Sequence, residues 1–379
     1  MVGNGRRHTR TYSLYNQIEK VKKAKMKKLL FAVPMLAAVF FSCSKKDDAA
    51  PAVSGVYVLT EGNFSETDSS AIAFYNASTQ TVDWNYYKTV NGTKLGNGAN
   101  DLKQYGGKMY CTVSGKDTAT LSDSYVLVID VATCKLLSKI SFASGTRAYQ
   151  PRFVAFNGNK AYVSCYNGMV CRIDTSSLQI DATVQTDGVL EGIAASGNKL
   201  YVANSDNYTL PSTNNSSVSV IDIATFKKTG QISVGFSPIK VAAGSGFVFV
   251  ASAGNYDDIA ASVSVISSAT DVVAKTIDAN ISWFTAGADA VYATGYDGTG
   301  SFIKSYNVTT GEGTSFITDG TTPSNIYAAT VNPSNGDVYV ANAGYAAGKD
   351  LVYVFSSAGK LKFQFATSKA PQNCVFLNL

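Results

Sequence analysis

Six aromatic residues fall at corresponding places along this chain, each just past a short apolar strand: Phe64, Tyr166, Tyr208, Tyr256, Tyr296 and Tyr345. Tyr149 and the Trp283-Phe284 pair are expected in loops ahead of the next strands, and Asp117 stands where one stretch lacks a ring. Rings gathered on a concave surface bind broad ligands by burying apolar area; the alternative is that they cap the apolar ends of sheets. Arg147 and Arg152 flank Tyr149-Gln150, and with Arg172 they are the only arginines beyond residue 42. Two neighbouring guanidinium forks suit a phosphate or carboxylate, or else local ion pairs. A third set lies at strand starts: Asn100-Asp101, Arg152, Glu191, Lys240, Ser282, Asn325 and Gln372-Asn373. That mixture fits a large, neutral-to-anionic ligand carrying amides, and equally a water-filled channel.

Other chemistry is excluded by what the chain lacks. Its single histidine is His8, near the N-terminus. Without a further imidazole there is no serine triad, no histidine acid–base pair and no imidazole metal site. Tyr256-Asp257-Asp258 offers calcium only two adjacent carboxylates, and a solvated turn is the simpler reading. No metal site, cofactor requirement or enzymatic activity is therefore expected. Beyond Cys43 there are five cysteines, Cys111, Cys134, Cys165, Cys171 and Cys374, with no CxxC spacing. Cys165 and Cys171 flank Asn167-Gly168. A two-residue hairpin loop there would put Cys165 opposite Val170, so free thiols are expected.

The elements that must carry these residues repeat seven times. Val56-Tyr57-Val58 is followed by Met109-Tyr110-Cys111, Ala161-Tyr162-Val163, Leu200-Tyr201-Val202, Val248-Phe249-Val250, Val291-Tyr292-Ala293 and Val338-Tyr339-Val340, with anchors 53, 52, 39, 48, 43 and 47 residues apart. A period of about 40–50 residues in short strands predicts an all-β, seven-bladed β-propeller. Within a repeat, a strand opening P-x-x-apolar, as at Pro151, Pro238, Pro323 and Pro371, precedes the anchor strand, and alternating strands such as Val218–Asp222 and Gln231–Val234 follow it. We name the four strands A (innermost) to D. Residues 55–379 begin with a B strand and end with an A strand, so the segment 369–378 should complete the first blade and close the ring.

Residues 1–42 form a leader. Lys27-Lys28 and the uncharged run from Leu29 to Phe41 make a secretory signal ending at Ser42-Cys43, too short to span a bilayer. Residues 1–25 read as an overextended start ahead of Met26, and residues 43–54 as a tether. The leader holds nine of the 32 basic residues and one of the 27 acidic ones, leaving 23 basic against 26 acidic, a net of −3. No basic surface for nucleic acid is expected.

The signal ending at Cys43 resembles those of bacterial lipoproteins, and this implies acylation of Cys43 and an outer-membrane location; Ser44-Lys45-Lys46-Asp47-Asp48 resembles the tag that sends such lipoproteins to the outer leaflet, and equally reads as a solvated tether. The P-x-x-V-A…Y-V-A-N pattern resembles the YVTN/YncE-like propellers. The opening Val56–Phe64 segment, VYVLTEGNF, is similar to the surface propeller lipoproteins of gut anaerobes, among them the cobalamin-binding BtuG family. That resemblance implies capture of cobalamin or another corrinoid for a TonB-dependent outer-membrane transporter. A glycan-binding surface protein and a structural surface-layer or adhesion role remain alternatives. The expected ligand contacts are Phe64, Arg147, Tyr149, Arg152, Tyr166, Tyr208, Tyr256, Trp283, Tyr296 and Tyr345.

Overall fold

The computed structural model describes residues 54–63, 66–206, 213–286, 290–307, 312–344 and 350–378. The leader, Cys43 and the proposed contacts Phe64, Tyr208 and Tyr345 lie outside the described residues. Seven four-stranded antiparallel sheets form the blades of a propeller. The first blade combines Pro371–Leu377 from the C-terminus with Gly55–Thr60, Ala71–Asn76 and Thr81–Asp83. Tyr57 pairs with Val375, which closes the ring with strands from both ends of the propeller. Each remaining blade is a meander of consecutive strands.

The repeated aromatic of each B strand packs toward the blade that follows. Tyr57 joins Leu102, Met109 and Leu127 of blade two. Tyr110 meets Val154 and Val163 of blade three, and Tyr201 meets Val248 and Val250 of blade five. Two hydroxyls also cross the seam: Tyr57 donates to the Val131 carbonyl at 2.9 Å, and Tyr201 to Asp271 Oδ1 at 2.6 Å. Blade five carries Phe249 in this place, which has no hydroxyl to donate. Phe249 is half-buried and lines a cavity of about 220 Å³ between blades five and six. The buried core of that seam is small, with Ala251, Val263, Ile281 and Ala293.

Every A strand carries a register shift near its first residues. Asn100, for example, is the extra residue between the Ala99–Val113 and Asp101–Thr112 pairs. A bulge of this kind unpairs one residue, bends the strand and re-aims side chains. Seven of them at one level turn side chains toward the axis, all polar except Ile239 in blade five.

Two sequence expectations need correction. Pro151, Pro238 and Pro371 open their strands, but the A strand of blade seven begins at Ile326, so Pro323 precedes it. In the hairpin at Asn167-Gly168, Ser164 and not Cys165 pairs with Val170. The loop is longer than two residues, because one strand ends at Cys165 and the next begins at Met169, which leaves 166–168 between them. Cys165 and Cys171 therefore share a face of the sheet and touch, and burial pushes the Cys165 thiol well above its ordinary pKa. All five cysteines among the described residues are buried and free.

Candidate functional site

The A strands converge on the axis, and their bulges define two levels of side chains. The first level holds Asn100, Arg152, Glu191, Ile239, Ser282, Tyr327 and Gln372; these follow the opening residues of their strands. The second, one residue deeper, holds Asp101, Phe153, Gly192, Lys240, Trp283, Ala328 and Asn373. The expected channel-mouth set is thus largely brought together, with two changes. Lys240 belongs to the deeper level, Ile239 taking the place assigned to it. Asn325 lies ahead of its strand, and Tyr327 occupies the mouth position in blade seven.

The first level is joined by charged hydrogen bonds. Arg152 Nε and Nη2 donate to Glu191 at 3.0 and 3.1 Å, and Nη1 donates to Asn100 Oδ1. Tyr166 Oη donates to the same Glu191 at 2.7 Å, while its ring lies 4.4 Å from the Arg152 guanidinium carbon. Burial opposes the Arg152 charge, but the Glu191 carboxylate more than offsets it, and the pKa lies above the ordinary arginine value. On the other side, Gln372 Nε2 donates to Glu61 Oε2 at 3.0 Å and Tyr327 Oη to the same oxygen. Glu61 of the opening motif thereby ties blade one to blade seven. Gly62 follows it at φ +89°, where a Cβ would come within 2.4 Å of the Ser69 side chain, so only glycine suits that turn.

At the second level Asp101 is the hub of one half. It accepts from Asn373 Nδ2 at 2.6 Å and from the Val154 amide at 2.9 Å, and it pairs with Lys103 at 3.2 Å. The other half is occupied by Lys240. Its Nζ lies 3.6 Å from the Phe153 ring centroid and 3.8 Å from that of Trp283. Blade four separates blades three and five, and it presents Gly192 here; without a side chain in the way, Lys240 reaches Phe153. A Cβ on Gly192 would come within 2.5 Å of the Val241 amide. Burial pushes the Lys240 amine down to about 7, against the pull of Glu191 and Asp101.

The remaining expected contacts are dispersed. Trp283 and Phe284 belong to the strand Ile281–Ala286 and line the channel, not a loop before it. Tyr149 is half-buried against the core between blades two and three. Arg147 is exposed in the two-stranded ribbon Ala143–Ser144 and Arg147–Ala148. It therefore does not join Arg152, whose fork is committed to Glu191. Asp117 organises its own loop, accepting from the Ala119 and Thr120 amides. Tyr256 and Tyr296 do stand free, 91% and 52% exposed, on adjacent blades at the end where B strands finish and A strands begin. Tyr256 is held at φ 61° in a turn where the Asn255 side chain accepts from the Asp257 and Ile259 amides. A bulky residue in that conformation is uncommon and persists where its loop holds it. Among the described residues no cluster of three metal-ligating side chains forms.

Glu61, Lys103, Phe153, Gly192 and Tyr327 were not singled out as site residues from sequence. A charged residue on the inward-facing side of an innermost strand, as at Lys103, was the available signal.

Solved structures share the fold at low identity. A quinonprotein alcohol dehydrogenase-like protein from Bacteroides thetaiotaomicron superposes with a TM-score of 0.63 at 16% identity, covering 86% of this chain and 78% of that one. A putative 6-phosphogluconolactonase from Bacteroides fragilis gives 0.59 at 13%, covering 88% and 100%. A computationally designed protein, Ika8, gives 0.54 at 15%, covering 83% and 88%. No curated protein matches the chain. Residues 54–370, nearly the whole propeller, match one family pattern, and the chain belongs to that family, DUF5074, a domain of unknown function.

Proposed function

We propose that this protein is a non-enzymatic surface lipoprotein, anchored through Cys43, that binds a large ligand across the channel mouth. The ligand class we favour is a corrinoid such as cobalamin, passed to a TonB-dependent outer-membrane transporter. The observation that carries the reading is the exposed pair Tyr256 and Tyr296 beside a mouth lined with amides and paired charges. The pair belongs to blades five and six, where the first level offers Ile239 and Ser282 in place of an ion pair. A broad ring could stack there while its peripheral amides meet Ser282 and Tyr327, which are partly exposed at the first level. The likeness of Val56–Phe64 to the BtuG-type propellers supports the same class. Arg147, exposed on the same face, is the better candidate for a ligand phosphate, because Arg152 is neutralised by Glu191.

Exposed tyrosines also stack on sugars, so a glycan is the second reading. Calorimetry of the chain without its leader, against cyanocobalamin and a glycan panel, separates the two. Cyanocobalamin should bind, and Tyr256→Ala or Tyr296→Ala should weaken it at least tenfold, about 1.4 kcal/mol. Replacing Cys43 with Ala in the full chain should release it from membranes without altering that titration. Binding of a glycan and not of cyanocobalamin would replace the first reading with the second.

A further inference from the structure

Below the mouth, the channel contains a site that the surface-binding reading does not use. A cavity of about 70 Å³ lies against Asp101, Lys103, Phe153, Lys240 and Trp283. Liquid water occupies about 30 Å³ per molecule, so this space suits a group the size of a carboxylate. Past Lys103, Trp283 and Phe284 it adjoins a second cavity of about 290 Å³, whose lining includes Ala329, Val331, Pro333 and Phe376. The channel is therefore polar at one point and largely apolar beyond it.

Among the described residues, one cation at that point has no carboxylate bonded to it. Arg152 is paired with Glu191, and Lys103 with Asp101. Lys240 is the third cation. It rests on two ring faces, and among the described residues no side chain or carbonyl oxygen accepts one of its three N–H donors. A half-buried ammonium resting on ring faces without an oxygen partner is a costly arrangement. An anionic oxygen from outside the chain would satisfy it, and the rings would flank that anion with apolar walls.

We propose that the channel binds a small organic acid, its carboxylate on Lys240 and its apolar body in the larger cavity beside Phe284 and Phe376. Inorganic phosphate would satisfy the lysine but leave the apolar cavity without a partner, so an aliphatic or aromatic monocarboxylate fits better. This site is separate from the mouth and does not depend on a corrinoid being the surface ligand. The charged groups facing Lys240 are Glu191, Asp101, Arg152 and Lys103. The two acids are already paired, so protonation of Lys240 itself should govern binding. The amine is driven toward neutrality as pH rises past about 7, so affinity should fall with rising pH.

The test uses the purified protein with hexanoate, acetate and phosphate at constant ionic strength, followed by calorimetry and thermal shift at pH 6 and pH 9. Hexanoate should bind at pH 6 at least tenfold more tightly than acetate or phosphate, and lose at least tenfold at pH 9. Lys240→Met should fold, as judged by its melting transition, and lose hexanoate binding. Cyanocobalamin titrated in parallel reports on the mouth independently. The proposal is overturned if the wild type does not bind hexanoate at pH 6, if phosphate binds as well, or if Lys240→Met binds undiminished.

Discussion

Lys240 is subject to opposing demands. The Phe153 and Trp283 faces and the nearby carboxylates favour its charge, while burial disfavours it, and burial prevails. The sign of the stability effect follows by linkage. A lysine whose folded pKa is about 7 binds fewer protons when folded than when unfolded, across the interval from about 7 to the unfolded value near 10.4. Its penalty is fully present below pH 7 and is relieved as pH rises toward 10. Lys240→Met should therefore melt higher than the wild type at pH 6, and the gap should narrow steadily to pH 10. Other groups titrate in that range, but they are common to both proteins and cancel in the difference. A gap that stays constant, or opens with rising pH, would show that burial does not dominate this amine.

The aromatic anchor is the same element in every blade, yet its surroundings differ. Tyr201 is buried and bonded to Asp271 of the next blade, whereas Phe249 faces a cavity and has no hydroxyl. Truncating a well-packed aromatic costs about 3–5 kcal/mol, and less where a void already adjoins it. Tyr201→Ala should fall in that range, and Phe249→Ala should cost clearly less in denaturant unfolding. The same difference predicts faster amide exchange in Phe247–Ser252 than in Lys199–Ser205. Equal losses for the two substitutions would mean that the seam between blades five and six is as tight as the others.

Closure governs the molecule as a whole. Pro371–Leu377 pairs along Gly55–Thr60 and also supplies Gln372 to Glu61 and Asn373 to Asp101. Deleting residues 369–379 would open an edge on blade one and take one hydrogen-bond partner from each acid, leaving Glu61 to Tyr327 and Asp101 to Val154 and Lys103. Unpaired strand edges destabilise and aggregate, and loss of a partner from a buried acid costs about 1–3 kcal/mol or more. The shortened chain should melt far lower and associate in light scattering. A variant that melts with the parent would show that the ring does not depend on this strand.

The seven-bladed ring, its closure and the anchor positions were legible in the amino-acid order, because each is a local pattern repeated. Alternation marks a strand, a turn residue ends it, and a B-first, A-last order leaves one way to close. The polar set at the strand starts was legible for the same reason, as a column in aligned repeats. What the aligned repeats could not show was the one-residue bulge in each A strand, since a bulge changes pairing without a distinct residue signature. That bulge placed Tyr327 at the mouth, lowered Lys240 to the second level and drew Trp283 from an expected loop into the channel. Nor could the order of residues reveal that Arg152 would meet Glu191, or that Gly192 would let Lys240 pass to Phe153. Those contacts join different blades, separated in sequence by 39 residues for the ion pair. They exist only because the closed ring brings seven strand ends to one axis, where shape and charge are decided by neighbours that no single repeat contains.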